Sequence, residues 1–385
     1  MEFPLSTKSL EESNNFLRAL WAEIRREFGK VGWIYTPRRN GRQNTIHFGF
    51  MSLGDDIPGS IDVWVKYGKR DSLKGMHFEI PDKTRSHVGN IEERLASCVS
   101  RAKNSEAALS QISMSVGIRA NPKLTIAHYT APNLEIIPCH SGFNMLKFSI
   151  LAHDSVDADV IANQRLPKIL DFLSVWTNCS FEFCSLSNVE ERLDSKMNQF
   201  WRKSKWLEDF PTHEKYLRLE ARTVSSLSEI IEGRITADSR VLQSALHFHQ
   251  AAKFHRSEDA IHGDLITTLL ISSLEAASLD LGGGGSSSCQ TCGQPVYKIS
   301  KRVAQLGRTH LGEYVEAFLK DKYGLRSKFL HAGKLSTVHP TTRNSLPLLD
   351  PSSSSGCVLP HAFSHAHNLL EYSGFILRAL WRGTN

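Results

Sequence analysis

The stretch Tyr323-Gly-Leu-Arg326-Ser327-Lys-Phe-Leu-His331-Ala-Gly333 sets a fixed cation and a titratable imidazole five positions apart, with glycines near both ends. The guanidinium is a permanent forked donor and the imidazole titrates near neutral pH, so together they suit phosphate chemistry. On a regular α-helix five residues turn side chains about 140° apart, which would splay the pair. A break at Gly324 removes that objection: Arg326 then sits at a helix start, His331 about one turn inside, and both face one groove. Spacing alone is unspecific, because Arg42 and His47 repeat it. That copy runs behind Arg-Arg-Asn-Gly-Arg into a strand pattern, where the arginine reads as a solvated loop charge, and it is set aside.

Outward from this stretch, the chain after about residue 190 is helical in pattern almost to its end. Helices are expected over 239–254, 261–281, 299–306, 311–323, 326–334 and 361–380, a bundle with two interruptions. One, 282–295, holds a Gly-Gly-Gly-Gly-Ser-Ser-Ser run and then Cys289-Gln-Thr-Cys292-Gly293; the other, 335–360, is rich in Ser, Thr and Pro. The first half differs. Helical periodicity over 9–28, 88–102 and 157–177 alternates with strand patterns over 45–51, 60–67, 74–80, 112–119, 124–129, 134–139, 145–152 and 180–186. Pro167 weakens the case for one continuous helix over 157–177. The expected organisation is an α+β recognition or sensor domain over 1–190, a connecting helical segment over 191–234, and an all-α bundle over 235–385.

With 385 residues the chain is long enough for two domains with cores of their own. The 46 basic and 40 acidic residues leave a net charge of +6, which permits a nucleic-acid partner without requiring one. No leader pattern and no apolar run of spanning length is found, so a cytoplasmic protein without membrane insertion is expected. Seven scattered cysteines argue against a secreted disulfide framework.

The residues around Arg326 resemble the HEPN superfamily, specifically its ApeA-like branch, in which a late helix carries Arg, a polar residue and then His. The match extends to Leu270-Ile-Ser-Ser-Leu274-Glu275-Ala, similar to a helix with a Leu-Glu pair, and to Ile299-Ser-Lys-Arg302-Val-Ala-Gln-Leu, similar to the helix that follows. Order and spacing agree over roughly residues 235–382, so the resemblance covers the second half only. It implies a homodimeric endoribonuclease that cleaves RNA without a catalytic metal, with Arg326 and His331 as catalytic residues and Ser327 and Glu275 supporting them. It also implies prokaryotic antiphage defence by abortive infection, with an unknown trigger acting through the first half. The family includes members without nuclease activity, so a non-catalytic RNA- or protein-binding dimerisation module stands as the alternative.

Cys289 and Cys292 have the spacing of half a structural zinc site, and Gly293 allows the tight turn. Four ligands are needed, and the chain has no second CxxC. The missing pair is either the same cysteines of a second copy or Cys357 with His361 or His365; otherwise two reduced thiols lie in a Gly/Ser loop. His361, His365 and His367 lack the Glu of a metalloprotease pattern and arise easily among 17 histidines. His247 and His249 point to different helix faces, with packing the simpler role. Trp201, Trp206 and Phe210 read as packing rather than base stacking.

Overall fold

The computed structural model describes residues 1–41, 44–104, 109–140, 142–186, 200–202, 206–207, 210–235, 239–256, 263–279, 287–288, 295–296, 299–333, 348–349, 358–359 and 362–383. The architecture is α+β: an antiparallel sheet region precedes a mainly helical C-terminal part. Packing divides the chain into two compact units, Met1–Ile112 with Ile150–Ile161, and Ser113–Ser149 with Ala162–Asn385. The expected break near residue 190 is not where this division falls. Strands from the middle of the chain pack with helices far downstream, which patterns read segment by segment do not reveal.

In the first unit, α1 (Leu10–Phe28) starts at Ser9, whose hydroxyl accepts the Glu12 amide at 3.2 Å. A sheet follows in the order β1 (Glu2–Pro4), β5 (Leu73–Glu79), β4 (Ile61–Tyr67), β3 (Thr45–Leu53), β2 (Val31–Asn40), every neighbour antiparallel. Ile61, Val63 and Val65 alternate inward and meet Leu20 and Ile24 of α1 and Leu95 and Val99 of α3 (Ile91–Lys103), with α2 (Asp82–His87) just before it. Each such side chain, fully buried, contributes about 1.5–3 kcal/mol. Strand β2 was not expected. It is a sheet edge containing Pro37, Arg38 and Arg39, with Ile34 and Tyr35 exposed, so one face is never buried and no period-two pattern is written.

His47, the imidazole of the discarded motif, is buried on β3, pairs with Asp62 and lies 4.3 Å from the Trp64 ring. Its role is packing. Arg42 lies outside the described residues. At the start of α4 (Ser155–Thr177), Asp157 takes both arms of Arg18 at 2.7 and 2.9 Å, and Asp154 takes those of Arg25 at 2.7 and 2.9 Å. Burial is the largest single influence on Asp157 and pushes its carboxyl up, but Arg18 and the His153 amide together outweigh it and hold it low.

The second unit holds a five-stranded sheet in the order β11 (Ser180–Cys184), β6 (Ser110–Asn121), β10 (Phe143–Ala152), β9 (Leu134–Pro138), β8 (Tyr129–Ala131). A smaller one joins β12 (Thr212–His213), β13 (Tyr216–Leu217) and β7 (Thr125–Ile126). Helix α4 runs through Pro167 without ending. Helix α5 (Ala221–Glu232) buries Val224, Leu227, Ile230 and Ile231 within the segment read only as connecting. Then come α6 (Arg240–His255), α7 (Gly263–Ser278), α8 (Ile299–Leu311), α9 (Glu313–Ala332) and α10 (Ala362–Gly383). Gly307 lets α8 and α9 approach closely: a Cβ there would lie 2.9 Å from Leu319 Cδ1 and 3.0 Å from the Val315 carbonyl. Two-residue strands pair antiparallel at Ser287–Ser288 with Pro295–Val296 and at Leu348–Leu349 with Val358–Leu359.

The end of α4 is gripped from α10. Arg378 is wholly buried and donates to the Val175 carbonyl at 2.8 Å, to Asn178 Oδ1 at 2.9 Å and to the Trp206 carbonyl at 3.1 Å, with its guanidinium 3.6 Å from the Trp206 ring centre. Asn178 adopts a left-handed conformation (φ 57°), and Gly374, one turn before Arg378, leaves room for it. A Cβ at Gly374 would stand 2.6 Å from Asn178 Oδ1. Arg378→Lys should therefore cost about 2 kcal/mol or more, because an ammonium cannot reproduce the planar fork. Gly374→Ala should destabilise in the same direction, and urea-unfolding midpoints measure both.

Candidate functional site

Helix α9 packs against α7, and their contact holds Arg326 and Glu275 of the candidate site. The helix is continuous from Glu313 through Gly324 to Ala332, so the break anticipated at Gly324 is absent. Glycine costs a helix only about 1 kcal/mol relative to alanine, and burial of Val315, Phe318, Leu319 and Lys322 on the same helix outweighs that. The consequence is the splay that regular geometry dictates. Arg326 turns toward α7, while His331, in the last turn before the left-handed Gly333, is exposed. Five residues also separate them by about 7.5 Å along the axis.

Arg326 Nη2 donates to Glu275 Oε2 at 2.8 Å, and both side chains are more than four-fifths buried. Tyr323, one turn before Arg326, hydrogen-bonds the same carboxylate, and its ring centre lies 5.7 Å from the Arg326 guanidinium carbon. Arg326 Nε is buried without a hydrogen-bond partner. Burial raises the Glu275 carboxyl above its ordinary value, against the lowering by Arg326 and the Tyr323 hydroxyl. Tyr323 is raised too, first by burial and then by the Glu275 charge. Ser327 is half-buried beside Arg326.

The structure thus brings Arg326 and Glu275 together and leaves His331 outside that contact. Tyr323 was quoted in the sequence motif without a role. Its spacing of three from Arg326 on one helix was the available signal. Cys289, Cys292, Cys357 and His361 lie outside the described residues, as does most of the segment 188–210; the paired strands at Ser287–Ser288 and Pro295–Val296 flank both cysteines in sequence. Among the described residues no group of three or more His, Cys, Asp or Glu is placed to hold a metal ion, and no helix is long and apolar enough to cross a membrane.

His249 is a buried packing histidine. Its Nδ1–H donates to Asp171 Oδ1 at 2.7 Å and its Nε2 accepts the Phe181 amide at 2.9 Å, which ties α6 to α4 and β11. Burial lowers its pKa, in keeping with a neutral ring. Comparison of the chain with family models, curated proteins and solved structures finds no match. The HEPN resemblance accordingly rests on the residues quoted for it.

The raised Glu275 carboxyl has a consequence for stability. Between 4.5, its ordinary value, and its higher folded value, the native state holds more protons than the unfolded state, so stability falls as pH rises. The contribution is full below 4.5 and lost as pH passes the folded value. Glu275→Gln should gain stability relative to the wild type as pH is raised from below 4.5 to neutrality, read from urea midpoints at each pH.

Proposed function

We propose that the protein is a HEPN-type endoribonuclease that cleaves RNA without a catalytic metal, through a site completed by a second copy of the chain. The observation that carries this reading is the pairing of a held arginine with an exposed imidazole on one helix. Glu275 and Tyr323 fix Arg326 in place, and His331 is presented to solvent in the last turn of α9. One chain cannot aim both at one phosphate on the same helix face, whereas two copies related by a two-fold axis can supply Arg326 from one and His331 from the other.

The chemistry balances with these groups. The 2′-hydroxyl gives its proton to one imidazole as its oxygen bonds the adjacent phosphorus. The bond from phosphorus to the 5′-oxygen breaks, and the leaving oxygen takes a proton from a second imidazole in the acid form. Arg326 holds the extra negative charge of the phosphorane. The products carry a 2′,3′-cyclic phosphate and a 5′-hydroxyl. Glu275 acts as a positioning residue and Ser327 as an added donor to phosphate. A trigger acting through the first half, and a role in prokaryotic antiphage defence by abortive infection in the cytoplasm, complete the proposal.

The splay within one chain favours a second reading, a non-catalytic RNA- or protein-binding dimerisation module. Cleavage separates the two. Labelled RNA incubated in EDTA should be cut by the wild type, and Arg326→Ala or His331→Ala should lower the rate about a hundredfold or more. Absence of wild-type cleavage across several RNAs, or equal cleavage by all three proteins, would sink the nuclease.

For Cys289 and Cys292 the proposal is a structural zinc ion, supported by their spacing and by the strand pairing on either side. Purified protein should contain zinc that Cys289→Ser loses. Metal-free wild type of unchanged stability would end this assignment.

A further inference from the structure

A cleft of about 470 Å³ opens in the second unit beside the edge of its larger sheet, with neither Arg326 nor His331 in its lining. Its walls carry Arg119, Lys123, Lys253 and Arg256, with Ser180 and the single carboxylate of Glu182. The cations are brought there by two independent constraints. His249 and Lys253 on α6 and Arg256 at its C-terminal cap recur at four and three residues and so share a face. The hydrogen bonds of His249 to Asp171 and to the Phe181 amide seat that face on β11 and leave Lys253 and Arg256 overhanging the strand. From the other side, β6 pairs antiparallel with β11, Arg119 opposite Glu182 and Asn121 opposite Ser180, and the chain carries Lys123 onto the same wall just beyond.

The charges are unevenly used. Arg119 is neutralised by Glu182, its Nε donating at 2.6 Å, and its guanidinium carbon lies 5.8 Å from the Phe143 ring centre. Arg256 gives Nη2 to the Asn178 carbonyl at 2.8 Å, while its Nε is buried with no hydrogen-bond partner. Burial lowers its pKa, so this site disfavours a positive charge unless an anion arrives. Lys123 and Lys253 form no ion pair among the described residues. Concentrating cations around one carboxylate is electrostatically costly in an empty cleft and favourable once phosphate oxygens enter.

We propose that this cleft binds the phosphodiester backbone of single-stranded RNA, as a substrate-holding site separate from the cleavage residues. The inference deepens the ribonuclease reading and rests on it for the choice of RNA. Lys123 and Lys253 neutralise successive phosphates as mobile point charges, and Arg256, held by the Asn178 carbonyl, supplies a fixed one. An extended strand suits walls that carry their cations on separate elements, β6 and the turn beyond it on one side and the last turn of α6 on the other.

The test measures binding apart from cleavage. In a His331→Ala background, the full-length protein is titrated against fluorescein-labelled oligouridylate by anisotropy at several salt concentrations. Reversing both Lys123→Glu and Lys253→Glu should weaken binding roughly tenfold or more and flatten the slope of log affinity against log salt by about 1.4, at ~0.7 per lost contact. A milder Lys123→Gln and Lys253→Gln pair should shift both in the same direction, which guards against misfolding of the reversed variant. The control is Lys30→Glu with Lys66→Glu, an equal change of charge at side chains 76% and 57% exposed in the first unit, and should leave binding near the background value.

Oligouridylate that does not bind, or that binds the cleft variants and the control alike, overturns the proposal. So does competition by UTP as effective as oligouridylate at equal phosphate concentration, which would assign the cleft to mononucleotides. Cleft-dependent binding in a protein that never cleaves RNA would refute the nuclease alone, and cleavage with cleft-independent binding would refute the cleft alone.

Discussion

Arg378 carries a guanidinium into the interior of the second unit, where it must be met by acceptors or the burial of its charge would be prohibitive. The Val175 and Trp206 carbonyls and the Asn178 side chain meet it, and the Trp206 ring covers its face. These groups come together only when α10 crosses the end of α4 at the turn where Asn178 adopts a left-handed conformation. Arg256 takes the Asn178 carbonyl from the direction of α6. One short turn thus joins three helices, and β11 leaves that turn with its direction already set.

The two candidate sites are consequences of this packing at different removes. Because His249 ties α6 to β11, the basic end of α6 overhangs the sheet edge, and a cleft lined by cations results. Helix α7 lies against α6, with the Ser273 hydroxyl donating to the Ser244 carbonyl at 2.7 Å, and presents Glu275 to α9. Arg326 is thereby held inward, and the helical period sends His331 out to solvent. The imidazole therefore lies outside the contact that holds its own arginine.

Much of the secondary structure was legible because long amphipathic or alternating segments write their period directly. The helix from Ser9, the inward Ile61, Val63 and Val65, and the helices at Arg240 and Gly263 are of this kind. Strand β2 was hidden because an exposed edge has no buried face to encode. Helix α5 fell within the segment read as helical and connecting, but its buried face was not read from the pattern. The partition of the sheets between two units was beyond reach, since which helix covers which strand depends on contacts far apart in sequence. Gly324 misled for a definite reason: a glycine permits a break, but the buried face of α9 rewards continuity more than the glycine penalises it.

By itself the amino-acid sequence determined the α+β character, the helical second half, the chemical aptness of Arg326 and His331, and the CxxC spacing. These are properties of residue type and local period, which need no partner to be expressed. Tertiary structure alone decided that Glu275 and Tyr323 hold Arg326, that His331 faces away, and that Lys123 and Lys253 share a cleft. Those outcomes depend on where a helix face lands when it packs, and on a buried guanidinium that admits only the arrangement supplying its acceptors.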